Sequence, residues 1–512
     1  MESLEETQWD VTISGTGIAQ SLLALALSRS NKKVLHVDKN SYYGGPDAAL
    51  SLQEAEEWVS EVNKESAHLP FEDAAVQSLS PSNSGSRLSS SRAYTLSLSP
   101  QLIYSRSRLV STLVSSRVYR QLEFQAVGSW WIYKPTDGRD KDLYRVPSSR
   151  EDIFADDFIS MKSKRTLMRF LRNLSQGQPD QVSAEEKSAL EGELAKPLSE
   201  YLTSKFQVPP ELYDPLLSLS LSQAPSHKTL AQYAVPRIQR HMTSIGVFGP
   251  GFGSVLVKWG GGSEISQVGC RALAVGGGIY VLNSGIESLN QSGQNEADDH
   301  LQLRLFSGET ITTKFVVGSN WDLPPTESPC DYEKVSRSLS IVSSSLDDLF
   351  PVTAEGGPIP AGAIVVFPAS SLGLTDKSPA VYISVHSNET AECPVGQSVL
   401  YSSVSIPGPQ GQSLIESAIE KLLRSNAGPD ARVLWSLRYT QLGRAVGAGG
   451  ETRPANVVSG NVIQFPPPSL DLAFDDSTID LVKDAWMRIM GDEVNEEQFL
   501  KFEDREDYDD EE

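Results

Sequence analysis

Apolar and polar positions are ordered most clearly near the start of the chain. Asp10-Val11-Thr12-Ile13-Ser14 is a short β-type run, Gly15-Thr16-Gly17 is a glycine turn, and Ser21 to Arg29 has the apolar density of a helix. Lys33-Val34-Leu35-His36-Val37-Asp38 is a second apolar strand that ends on an acid. Strand, turn, helix and strand in this order predict a βαβ unit. Arg108 to Phe124 reads as a helix, with Leu109, Leu113, Val114, Val118 and Leu122 near one face. From about Asp157 helices dominate: Leu167, Met168, Phe170, Leu171 and Leu174 form one stripe, while Lys162, Arg165, Arg169 and Arg172 line another as a solvated basic face. Helical patterns continue through 184–202, 210–221 and 230–244, so residues 150–246 read as a helical insertion between sheet segments. After Gly249-Pro250-Gly251, strand patterns return at 276–282, 301–306, 310–317, 363–368 and 380–386, with a polar loop at 288–300. Near the end, Ser477 is placed to cap a helix that runs through Trp486 and Met490. No internal repeat is apparent.

Length and charge narrow the class. A chain of 512 residues predicts two or three folding units, and its 39% hydrophobic share is that of a folded globular protein. With 44 Lys+Arg against 66 Asp+Glu the net charge is −22, which opposes binding to a phosphate backbone and excludes nucleic acid as a partner. Part of the excess is local, because residues 493–512 hold eleven acids against Lys501 and Arg505 and read as a solvated acidic tail. Residues 78–92 contain eight serines in fifteen positions, a flexible insertion rather than a boundary, since patterned sequence resumes at Tyr94. Met1 to Asp10 lacks the pattern of a secretory leader, and no run approaches a membrane span. Cys270, Cys330 and Cys393 are too few and too scattered for a disulfide framework or zinc cluster, so a reducing cytoplasm is expected.

Gly15-Thr16-Gly17 after a strand, with Asp38 closing the next strand, is the layout in which glycines admit a pyrophosphate and an acid holds a ribose hydroxyl. The third glycine position, however, is Gln20. A long polar side chain there works against helix packing and cofactor approach alike, so the expectation is a retained fold, vestigial Gly15, Gly17 and Asp38, and no bound cofactor. Other chemistry is thin. The six histidines are dispersed, and no HExxH, GxSxG or GxxxxGK[ST] pattern occurs, which leaves no candidate metal site or catalytic residue.

Val34 to Gly45, with the sequence Val-Leu-His-Val-Asp-Lys-Asn-Ser-Tyr-Tyr-Gly-Gly, together with Gly15-Thr16-Gly17 strongly resembles the Rab GDP-dissociation inhibitor and Rab escort protein superfamily. A second block, Trp259-Gly260-Gly261-Gly262-Ser263-Glu264 through Cys270-Arg271 to Gly277-Gly278-Ile279-Tyr280, is similar to its other signature, with one residue inserted before the glutamate. Arg145 to Phe154, Lys164 to Leu171 and the wording of His36-Val37-Asp38 are similar to the escort branch, of fungal type, and Pro466-Pro467-Pro468 resembles the family's end.

The resemblance implies an α/β protein: a degenerate FAD/NAD(P)-binding, GDI-like multi-sheet domain at 1–149 and 247–492, with an inserted all-helical domain at 150–246. It further implies an accessory protein without an active site. Such a protein would bind GDP-bound Rab GTPases, present them to the Rab geranylgeranyltransferase α/β heterodimer, shelter the geranylgeranyl lipid, and deliver the product from the cytoplasm by transient membrane contact. Carried over by motif, Tyr43, Glu264, Arg271, Ile279 and Val281 would form the Rab-binding platform. Leu109, Leu113 and Val114 are candidates for binding the Rab C-terminus, with buried core the alternative for them and an internal ion pair the alternative for Glu264 and Arg271. A Rab GDP-dissociation inhibitor is the nearest rival reading, and an FAD-dependent oxidoreductase on the same βαβ unit is the rival from another class.

Overall fold

The computed structural model describes residues 4–64, 68–78, 87–135, 142–148, 150–157, 159–176, 190–291, 300–325, 332–428, 430–444, 454–493 and 495–503. Most of the Ser-rich insertion (79–86), most of the polar loop (292–299), the first part of the 184–202 pattern, Cys330 and the end of the acidic tail (504–512) lie outside them.

The βαβ unit forms from strand Gln8–Ser14, helix Ile18–Leu27 and strand Val34–Val37. The strands are parallel, with Val11 beside Val34 and Ser14 beside Val37. The helix starts three residues before Ser21, because Gly15, at φ +88°, turns the chain out of the strand and Gly17 leads into the first helical turn. Thr310–Ser319 adds a parallel strand on the far side of Gln8–Ser14, and Leu301–Leu305 and Ile286–Gln291 continue antiparallel. The short strand Ile279–Val281 pairs parallel with Val34–Val37 and forms the edge of this path of the eight-stranded sheet. All four residues of Val34–Val37 are buried, as expected for a parallel strand covered on both faces.

A second, ten-stranded sheet runs Phe71–Ser78, Val433–Gly443, Glu333–Val342, Ser398–Val404, Val381–Ser387, Gly362–Phe367, Phe124–Tyr133, Ser254–Val257, Ile103–Tyr104, with Leu143–Arg145 beside Phe124–Tyr133. Helices Arg150–Ala155, Met161–Gln176, Tyr213–Leu219 and Ala231–Ser244 cover part of it. Their apolar sides (Ile153, Phe170, Leu216, Ile238) share one core with Val127, Trp130, Ile364 and Tyr382 of the sheet. Lys162, Arg165, Arg169 and Arg172 are exposed, as a solvated face should be. Among the described residues no helix is long and apolar enough to cross a membrane.

Two expected elements differ. The helix read over 108–124 ends at Ser115, and a tighter turn follows at Val118–Gln121. Ser116 Oγ donates to the Thr112 carbonyl at 2.7 Å and Arg117 takes a left-handed conformation at φ +62°, which breaks the helix. Ser477 is the first helical residue of Ser477–Met490 rather than its cap, and its N–H donates instead to Asp475 at 2.9 Å.

Candidate functional site

The chain's own side chains fill the place where a dinucleotide fold would admit a pyrophosphate. Above Gly15, a Cβ would lie 2.3 Å from the Asp322 carboxyl, and Gln20 Nε2 donates to Asp322 at 2.8 Å. At the mouth of helix Ile18–Leu27, the Ile18 N–H points to Asp47 Oδ2 at 3.4 Å, where a phosphate would otherwise accept it. Asp38 is fully buried and already used: its Oδ2 accepts from Thr16 at 2.6 Å and its Oδ1 from the Asn40 N–H at 2.7 Å. The remaining cavity, walled by Gly17 to Gln20, Pro46, Asp47 and Pro466 to Pro468, measures about 90 Å³. Small-molecule sites span roughly 300–1,000 Å³, so these residues do not fit FAD or NAD.

The electrostatics agree. Burial first, and the nearby Asp322 second, push the Asp38 carboxyl up to about 7. Desolvation pushes Asp47 up to about 7 as well, against the Ile18 N–H. Burial raises Asp322 in the same way, so three carboxyls crowd this place, and a diphosphate would be repelled by whichever of them is ionised. His36 is buried, its pKa lowered to about 4 by that burial, and its neutral ring meets the Gly15 carbonyl through Nε2 at 2.6 Å. Among the described residues, no three His, Cys, Asp or Glu side chains gather as a metal would need.

Beside this closed pocket lies an open surface. Tyr43 is carried on the turn after Val34–Val37, half-buried and stacked on Tyr280 with ring centroids 5.2 Å apart. Helix Gly262–Val275 brings Glu264 and Arg271, seven residues apart and hence two turns along one face, to the same neighbourhood. The field of Arg271 lowers the pKa of both Tyr43 and Glu264, partly offsetting the rise that burial causes in each. Glu264 accepts from Gln267 at 3.1 Å, and among the described residues it forms no ion pair with Arg271, whose side chain is exposed. Ile279, 36% exposed, and the half-buried Val281 alternate with Tyr280 on the edge strand and so point to the opposite face. Val281 packs against the core around Leu35, Val37 and Ile286.

The other candidates divide. Leu109 and Leu113 are 0% and 1% exposed, in one core with the Ile18–Leu27 and Ser477–Met490 helices, so they are core residues and offer no surface to a docked chain. Val114 is 45% exposed. Sequence reasoning also passed over Phe154 and Met161, exposed by 47% and 57% at the edge of the basic stripe. Lys164 donates to the Phe154 carbonyl at 2.8 Å and thereby ties the short helix to the long one. A phenylalanine at the end of a helix beside a run of cations is the signal that could have found this patch.

The site thus combines a dinucleotide-type fold whose pocket is filled by the chain's own side chains with an aromatic and charged edge beside it. The chain belongs to the GDP dissociation inhibitor family, whose model matches residues 4–423. It is 31% identical over 426 residues to the Saccharomyces cerevisiae Rab proteins geranylgeranyltransferase component A, an alignment covering 81% of this chain and 64% of the yeast protein's length. Among solved structures it resembles a Rab GDI from Plasmodium falciparum, with a TM-score of 0.65 at 18% identity, covering 96% of this chain and 100% of that one. It also resembles a putrescine oxidase variant, with a TM-score of 0.53 at 12% identity, covering 94% and 99%, a likeness of fold alone.

Proposed function

We propose that this chain is a Rab escort protein. It binds GDP-bound Rab GTPases, presents them to the Rab geranylgeranyltransferase heterodimer for prenylation of their C-terminal cysteines, and hands the lipid-bearing product to membranes from the cytoplasm. It has no active site and no cofactor of its own. The observation that carries this reading is the pairing of a self-filled dinucleotide pocket with the surface beside it, where half-buried Tyr43 and Glu264 stand near exposed Arg271. Tyrosine and arginine supply contact area and directed polar contacts to a partner protein. Ile279 adds an apolar contact from the other face of the edge strand, while Val281 packs into the core beside it. Val114 is the one apolar side chain of its helix open to a passing Rab C-terminus. On the helical segment, Phe154 and Met161 beside Lys162 and Arg165 suit the transferase, an apolar anchor ringed by charge.

The test is geranylgeranyl transfer to a GDP-loaded Rab by purified transferase, with and without this protein. Transfer only on its addition is expected. Extraction of prenylated Rab from membranes without support of transfer would instead assign it to the inhibitor branch.

A further inference from the structure

The plugged pocket has a second role that builds on the reading of Tyr43 as a Rab contact. A tyrosine on a glycine turn ordinarily samples several poses, and fixing each mobile side chain on binding costs about 0.5–1.5 kcal/mol. Here the pose is set in advance from two directions. From below, Tyr280 stacks on Tyr43 with rings only 6° from parallel, and Tyr280 meets His36 edge-on at 4.8 Å. His36 is in turn held by the Gly15 carbonyl at 2.6 Å. From behind, the Gly44 N–H donates to Thr16 Oγ1 at 2.9 Å, and the Thr16 hydroxyl donates to Asp38 Oδ2 at 2.6 Å. Thr16 and Asp38 are both fully buried. Gly44 has φ +99°, and a Cβ there would meet the Ala48 backbone at 3.0 Å, so the turn has little freedom to relax.

We propose that Tyr280 and Thr16 are positioning residues for partner binding, and that the old dinucleotide loop now works as a clamp that pre-organises Tyr43. Thr16 lies in the glycine turn and Asp38 ends the second strand, which are the positions a cofactor would have used. Their hydrogen bonds now end on the backbone of the residue after Tyr43. The clamp thus acts through Tyr43 and touches no partner itself.

The test is a double-mutant cycle read by the affinity of the full-length protein for a GDP-loaded Rab. Tyr280→Leu and Thr16→Val should each weaken binding roughly tenfold, and Tyr280→Phe, which keeps the stacked ring, should restore it. In a Tyr43→Ala background both effects should vanish, which a merely structural role would not produce. Hydrogen exchange gives a reading that needs no partner: Thr16→Val should speed exchange of the Gly44 amide while leaving the core of helix Ile18–Leu27 protected. Equal weakening with and without Tyr43, or an unchanged Gly44 amide, overturns the clamp. Affinity unchanged by these variants in a protein that does bind Rab overturns the clamp alone. Absence of Rab binding by the unaltered protein overturns the partner reading, and the clamp with it.

Discussion

Gly269→Ala is the substitution whose outcome the packing constrains most tightly. Helix Gly262–Val275 lies against helix Ile18–Leu27, and a Cβ on Gly269 would fall 2.5 Å from the Ser21 carbonyl oxygen and 3.1 Å from its carbon. Carbon–oxygen contacts of this kind rest at roughly 3.3–3.6 Å, so the helices would have to part by about 0.8 Å along that line. Both sides of the contact are backbone, and no rotamer change can relieve it. Seven residues on, a Cβ added to Gly276 would likewise fall 1.8 Å from Ser28 O, so a local tilt is opposed as well. Alanine gains about 1 kcal/mol in helix propensity over glycine, while overpacking against backbone that cannot give way falls in the upper part of the usual range, about 2–3 kcal/mol. The expected net is a loss of about 1–2 kcal/mol, read as a lower urea midpoint. Gly192→Ala is the control: that glycine is helical with nothing within 4 Å of its added Cβ, so it should gain up to about 1 kcal/mol. A Gly269→Ala protein as stable as the unaltered chain would refute the close-packed helix pair. Glu264 and Arg271 ride on the displaced helix, so Rab affinity should fall with it.

Four more outcomes are expected. Asp47 has its pKa raised from 3.8 to about 7, so between these values the folded chain holds more protons than the unfolded one. That contribution to stability is present below about 3.8 and is lost as pH rises through 7. Asp47→Asn should therefore flatten the stability profile from pH 4 to 7, by at most about 4 kcal/mol over the window, and an unchanged slope in urea titrations at several pH values would exclude it. Arg271→Ala should weaken binding of a GDP-loaded Rab by about 2 kcal/mol, close to thirtyfold, in calorimetry. Phe154→Ala should reduce binding to the transferase while leaving Rab affinity intact, measured by separate pairwise titrations. Gln20→Gly should not produce a visible flavin band on incubation with FAD, because Asp322 and Asp47 still occupy the pocket; an appearing band would count against the plug.

What the sequence revealed and what it hid have physical causes. The βαβ unit was legible because its strands are buried on both faces and its turn needs glycine, so composition and conformation point the same way. The second sheet was mostly not legible. Its interior strand Glu333–Val342 reads Glu-Lys-Val-Ser-Arg-Ser-Leu-Ser-Ile-Val, yet eight of its ten positions are buried. Ser336, Ser338 and Ser340 are 0–3% exposed and Arg337 is 6% exposed, held by Gln441 and the Leu470 carbonyl. A hydropathy pattern cannot mark a strand whose buried residues are satisfied by hydrogen bonds. Leu109 and Leu113 illustrate the converse limit, since a lipid-facing leucine and a core leucine have the same signature until burial separates them. Gln20 was read as an obstacle to a cofactor, but its partner Asp322 lies 302 residues away and no local pattern joins them.

On the proposed reading, the closed cofactor pocket and the docking surface rest on one arrangement of residues around this loop. Two of the groups around the pocket, Asp47 and Thr16, also brace the outer edge. Asp47 follows the Tyr43–Gly45 turn and draws it onto the helix mouth through the Ile18 N–H. Thr16 ties that turn to Asp38, and Lys39, next in the chain, donates to the His68 and Trp321 carbonyls at 2.5 and 2.6 Å. An open dinucleotide site would have to leave Thr16, Asp38 and the helix mouth exposed to its ligand, and the turn would then hang from glycines alone. With the site closed, the same atoms hold the half-buried Tyr43 in place, which on the proposed reading serves recognition of a protein.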